Sequence, residues 1–147
     1  MPRPGVELKK AQEAKMTKKI EAFIREEKLS DVKDALREIG IVGMNVIEVR
    51  GHGRGGGITL AGRSGTYQVD LLPRVQINIV LSDHNVEKTV ETICKAAYTG
   101  EKGDGIIFIY TVEEVIRIRT NERGREALMY ENDIDARRAA SKYSKKT

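Results

Sequence analysis

Cysteine occurs once in this chain, as Cys94, and tryptophan not at all; histidine occurs twice, proline three times, and aromatic residues make up 5% of the sequence. Each scarcity removes a class of function. Cys94 falls in a helical pattern with Val90, Ile93 and Ala97, so neither an internal disulfide nor a cysteine-rich metal site is available, and a reducing, cytoplasmic setting is expected. His52 and His84 belong to different elements and form no His-x-x-x-His pair, which argues against a metal centre. There is no Ser-His-Asp arrangement and no Gly-Lys-Ser/Thr ending to a phosphate loop, so binding is expected rather than turnover. No apolar run approaches the roughly 20 residues that span a bilayer, and the first ten residues lack the apolar stretch of a signal peptide, so no membrane insertion is expected.

What is present is enough apolar material, 39% of 147 residues, for one sizeable core. The net charge of +4 is concentrated at the ends, with Arg3, Lys9, Lys10, Lys15, Lys18 and Lys19 at one and Arg137, Arg138, Lys142, Lys145 and Lys146 at the other. Such terminal runs read as solvated tails. The organisation expected is a charged extension over 1–16, a domain over 17–127 and a basic tail over 128–147, with a short helix over 131–143 that orders in an assembly.

Along the chain, residues 18–25 read as a half-buried strand, and Ser30 reads as the N-cap of a helix carrying Val32, Ala35, Leu36 and Ile39 up to Gly40. Met44 to Val49 form a second β-rich run that opens at Gly51 into a loop of about twenty residues, to Asp70, with little apolar periodicity. Pro73 then introduces Val75, Ile77, Ile79 and Leu81 in alternation. Ser82-Asp83 reads as the cap of a second helix through Val86, Val90, Ile93 and Ala97, stopped by Gly100. Residues 106–110 and a short piece over 114–119 read as further strands. The order βαββαβ, with a short extra strand, predicts an α+β, ferredoxin-like fold with both helices on one sheet face. Apolar residues on the other face, such as Val80 and those of 106–109, predict burial against another subunit.

Three constellations suit an anionic ligand. In Gly51-His52-Gly53-Arg54-Gly55-Gly56-Gly57, glycines let backbone N–H groups approach phosphate oxygens and Arg54 adds charge; alone, it reads equally as a flexible loop base. Thr99-Gly100-Glu101-Lys102-Gly103-Asp104-Gly105 offers a second cradle between helix and strand, a pattern that by itself is more often a helix stop and turn. Arg117-Ile118-Arg119 places two guanidiniums on one side of an extended chain, or simply decorates a charged strand face.

Residues 17 to about 127 resemble the PII nitrogen-regulatory family. The likeness is carried by residues 32–44 (Val-Lys-Asp-Ala-Leu-Arg-Glu-Ile-Gly-Ile-Val-Gly-Met), Gly51-x-Gly53-Arg54, residues 67–74 (Tyr-Gln-Val-Asp-Leu-Leu-Pro-Arg), residues 99–105 and residues 114–120. It implies a homotrimer of ferredoxin-like subunits that binds ATP or ADP, with AMP a further ligand, in clefts between chains. A long T-loop over 53–70, between the second and third strands, would engage a target enzyme, transporter or regulator of nitrogen metabolism. By the resemblance, Gly53 and Arg54 lie at the loop base, Gly103, Asp104, Gly105 and Ile106 form the nucleotide loop, Asn45 and Val80 lie near the adenine, and Arg117 and Arg119 reach phosphates from the adjacent subunit. Tyr67 falls on the T-loop tyrosine that some members have modified.

Three positions depart from the family pattern: Gly55 replaces a glutamine, Gly56 a lysine and Ile106 a lysine. Losing these groups weighs against binding of Mg²⁺ with 2-oxoglutarate, and fewer cations at the phosphates predict a weaker preference for ATP over ADP or AMP. A second reading keeps the fold and replaces 2-oxoglutarate with a small anion such as bicarbonate. A third, a ferredoxin-like RNA binder, has only Phe108 and Tyr110 to stack bases, so no nucleic-acid partner is expected.

Overall fold

A computed structural model describes residues 16–52 and 58–136, with backbone alone at 58 and 67–69. The charged extension over 1–15, the glycines of 53–57 with Arg54, and the tail from 137 lie outside the described residues.

Strand β1 (Thr17–Arg25) alternates strictly: Ile20, Ala22 and Ile24 are buried, while Lys19, Glu21, Phe23 and Arg25 point the other way. A 3₁₀ turn (Glu26–Lys28) leads into helix α1 (Leu29–Glu38), which is followed by β2 (Asn45–Gly51). Strands β3 (Ile58–Gly62) and β4 (Gly65–Val69) pair as a hairpin, and β5 (Leu72–Ser82) buries Val75, Ile77, Ile79 and Leu81. A second 3₁₀ turn (Asp83–Asn85) precedes helix α2 (Val86–Ala97), and β6 (Gly105–Thr111) completes the sheet.

The main sheet has the order β2-β5-β1-β6, with every pair antiparallel, and carries both helices on one face. Val32 and Leu36 of α1 and Val86, Ile93 and Ala97 of α2 meet the inward residues of β1 and β5 in one core. Each fully buried Leu or Ile there contributes about 1.5–3 kcal/mol relative to exposure. With the hairpin set aside, this is the expected α+β, ferredoxin-like architecture. Among the described residues no helix is long and apolar enough to cross a membrane.

Helix α1 stops where the sequence indicates: Gly40 donates to Arg37 O at 3.0 Å and Ile41 to Leu36 O at 2.9 Å, the paired bonds that satisfy the last carbonyls of a helix. The starts differ from expectation. Ser30 lies inside the first turn of α1, Lys28 holds the N-cap position, and no side chain caps it. Ser82 precedes the 3₁₀ turn rather than capping α2, and Asn85 at the α2 N-cap makes no capping bond either. In both helices the 3₁₀ turn already aligns the chain, so entry needs no capping side chain. Helix α2 ends at Ala97 because Tyr98 turns extended (φ −65, ψ 130), before Gly100 is reached.

Two segments correct the sequence reading further. The stretch read as an unstructured loop contains the β3–β4 hairpin, in which Ile58 pairs with Val69 and Gly62 with Gly65 around residues 63–64. Its β-branched residues and Gly-x-x-Gly turn override the missing apolar alternation. Residues 114–119 form no strand: among the described residues they contribute one bridge, Ile116 to Arg123, within a turn that folds the chain back on itself.

The outer sheet face is uncovered by the described residues. Ile47, Ile106, Phe108 and Tyr110 are 43–56% exposed, and Phe108 meets Phe23 edge-to-face with centroids 6.1 Å apart.

Candidate functional site

The Thr99–Gly105 segment is built around one carboxylate. Asp104 accepts bonds from the backbone N–H groups of Thr99 and Gly100, each at 2.9 Å, from the Thr99 hydroxyl, and from Arg25 Nε at 3.2 Å. These donors, led by the Thr99 hydroxyl, hold the Asp104 carboxyl far below the usual carboxylate range. Asp104 is therefore the internal anchor of the loop, with its oxygens turned to protein donors.

At Gly105 the chain enters β6 with φ +119, and a Cβ would lie 1.8 Å from Phe23 O. Only glycine permits that approach, which sets the β6–β1 register at Ile24↔Gly105.

The loop faces two arginines that sit directly opposite each other, Arg25 on β1 and Arg74 on β5. Both guanidiniums reach Gly103: a Cβ built there would lie 3.0 Å from Arg74 Nη2 and 3.3 Å from Arg25 Nη2. Arg25 is compensated by Asp104, by Lys102 O at 2.7 Å and by Glu27 at 4.0 Å. Arg74 has no acidic or hydrogen-bond partner among the described residues. Like charges opposed across strands repel, so an anion placed between them gains from both.

Around these groups lies a cleft of about 810 Å³, walled by residues 49–52 of β2 and its end, by Phe23 and Arg74, and by Glu101 with residues 103–106. Its floor is largely apolar while Arg50, His52 and Arg74 border it. A flat apolar group with an anionic end suits this arrangement.

Gly103, Asp104, Gly105 and Ile106 thus line one cleft. Asn45 and Val80 lie on the open sheet face, paired in register with Asn78 and Lys19. Gly53 and Arg54 lie outside the described residues; in sequence they follow Gly51 and His52, which line the cleft. Tyr67 is opposite Leu60 in the hairpin backbone.

Arg117 and Arg119 do not share one side of an extended chain. Arg117 N–H donates to Glu122 O at 2.9 Å and Asn121 N–H to Arg117 O at 2.8 Å, and Asn121 is left-handed (φ 59), so residues 118–120 turn back. Neither arginine lines the cleft within one chain. Arg25 and Arg74 are what the sequence reading passed over. The available signal was parity: each falls on the outward position of a strand whose inward residues alternate cleanly.

The fold and cleft define an α+β domain in which a glycine loop faces two opposed guanidiniums, Arg25 and Arg74. Residues 17–122 match the family described as Nitrogen regulatory protein P-II. Nitrogen regulatory protein P-II 2 of Methanothermobacter thermautotrophicus is 54% identical over 111 residues, covering 76% of this chain and 96% of that protein. Nitrogen regulatory protein P-II of Rhodospirillum rubrum is 52% identical over 111 residues, with 76% and 99% covered. The Pasteurella multocida protein of the same name is 50% identical, also over 111 residues, again with 76% and 99% covered. The chain belongs to the P-II family of nitrogen regulatory proteins, which are signal transducers rather than enzymes.

Proposed function

We infer that the protein binds adenine nucleotide in the cleft beside Gly103 and, as a homotrimer, transmits occupancy to target enzymes, transporters or regulators of nitrogen metabolism through residues 53–70. The observation that carries this reading is the pair of guanidiniums meeting at Gly103, of which Arg74 has no partner among the described residues. A phosphate there takes charge-assisted bonds from Arg74 and backbone donors from the loop that Asp104 holds in shape. The exposed apolar face of β2 and β6 supports assembly, since an isolated domain gains little from Ile47, Ile106, Phe108 and Tyr110 in water. Assembly also gives Arg117 and Arg119 a neighbouring cleft to serve, and Asn45 and Val80 on the open face an inter-subunit position near the base. Gly53 and Arg54 are assigned to the loop base, and Tyr67 is the residue assigned to covalent modification of the T-loop. The cytoplasm is the setting proposed.

Calorimetric titration of the intact protein with ATP, ADP and AMP, each with and without Mg²⁺ and 2-oxoglutarate, tests the reading. Saturable binding of all three with less than about tenfold discrimination is expected, because Ile106 provides no cation for a terminal phosphate. Arg74→Ala should weaken binding by about ten- to a hundredfold. Absence of nucleotide binding overturns the reading. A rise in ATP affinity with 2-oxoglutarate would overturn the expectation drawn from Gly55, Gly56 and Ile106.

A further inference from the structure

The P-II family model matches up to residue 122, and the chain beyond it packs back on the domain. Residues 123–136 fasten at several points. Arg125 Nη2 donates to Ser82 Oγ at 3.1 Å. Ile134 is buried in the main core, and its N–H donates to Gly40 O at 2.8 Å. The buried Asp135 carboxylate accepts the Ser82 N–H at 3.1 Å and a short bond from the Asn85 side-chain amide. Asp133 tightens the approach by accepting from the N–H groups of Tyr130 at 2.9 Å and Ala136 at 2.7 Å.

Held this way, the segment turns two carbonyls onto one side chain. Arg117 donates from Nε and Nη2 to Ala127 O, at 3.2 and 3.0 Å, and from Nη2 to Met129 O at 3.0 Å. The Tyr130 ring lies 6.0 Å from the guanidinium, and Glu122 approaches Nη1 at 4.0 Å. A guanidinium grips phosphate through a pair of N–H groups on one edge. The edge formed by Nε and Nη2 is occupied by Ala127 O, and the end edge has lost its Nη2 hydrogen to Met129 O. Arg117 has no free two-donor edge while the segment is docked.

We propose that residues 127–135 form a strap that holds Arg117 shut and releases it when a phosphate takes its place. The proposal rests on the reading of Arg117 as a phosphate ligand for a neighbouring subunit's cleft. A neutral carbonyl is a weaker acceptor than a charged phosphate oxygen, so nucleotide displaces Ala127 and Met129 at the cost of undocking the strap. Linkage then works both ways: loosening the strap tightens nucleotide binding, and nucleotide loosens the strap.

The test uses the full-length protein and ATP. Asp133→Ala, which removes two bonds that shape the strap without touching Arg117, should raise ATP affinity about three- to tenfold. The increase should vanish in an Arg117→Ala background. Ile134→Ala is the second loosening variant, and far-UV circular dichroism establishes that each variant is folded. Hydrogen exchange at residues 127–135 should quicken on ATP saturation of the unaltered protein. Unchanged or weaker ATP binding by both folded variants, or slower exchange with ATP, overturns the strap while leaving nucleotide binding standing. If neither the unaltered protein nor the variants bind ATP, the strap falls together with the function it was to regulate.

Discussion

Asp104 carries more of the site's order than any other single side chain, since it joins the loop backbone at Thr99 and Gly100 to Arg25 on the sheet. Its carboxylate faces protein donors, at Thr99, Gly100 and Arg25. The pH dependence follows from its depressed pKa. A carboxyl whose folded value lies below its unfolded value contributes fully above the unfolded value, near pH 4, and loses that contribution as pH falls toward the folded value. Urea midpoints of the unaltered protein and Asp104→Asn should therefore differ by a constant amount above about pH 5 and converge below about pH 4. A difference that grows as pH falls would contradict the assignment.

At the scale of elements, β6 depends on its first residue. Gly105 lets the strand approach β1 so closely that an alanine methyl collides with Phe23 O, and its φ of +119 is unfavourable for any side chain. Gly105→Ala should lower stability by about 3 kcal/mol or more, read from denaturant midpoints, because relief requires β6 to move away from β1. A change under about 1 kcal/mol would mean that the strand start adjusts freely. The elements themselves were legible to different degrees. Alternation in β1 and β5 and helical spacing in α1 and α2 mark buried faces directly, so those four were readable. The β3–β4 hairpin was not, because a small two-stranded ribbon lacks the one-sided burial that imposes apolar alternation. Helix starts misled for a related reason: Ser30 and Ser82 have capping chemistry, but the backbone route into each helix decides whether a cap is used.

For the molecule as a whole, the sheet is finished on one side only. Phe108 lies at the middle of the open apolar strip, against Phe23. In sedimentation experiments the unaltered protein should run as a trimer and Phe108→Glu as a folded monomer, since burying an unpaired carboxylate on each subunit opposes assembly. A monomeric unaltered protein would remove the basis for clefts shared between chains. Nucleotide affinity in the Phe108→Glu monomer should fall as well, because Arg117 and Arg119 then have no neighbouring cleft to serve.

Local pattern in the sequence was sufficient for the α+β class, the two helices, the strands β1, β2, β5 and β6 and the glycine loop, because each is marked by residues within a few positions of one another. The family likeness extended that to the kind of regulator. The opposition of Arg25 and Arg74 at Gly103 and the capture of Arg117 by Ala127 and Met129 were settled only by tertiary structure. Arg25 and Arg74 are brought together by the register of two strands far apart in sequence. Arg117 is reached only because Ile134 and Asp135 anchor beside helices laid down much earlier in the chain. Contacts between such distant positions leave no periodic trace in the sequence, since their geometry exists only after the sheet has paired and the core has closed.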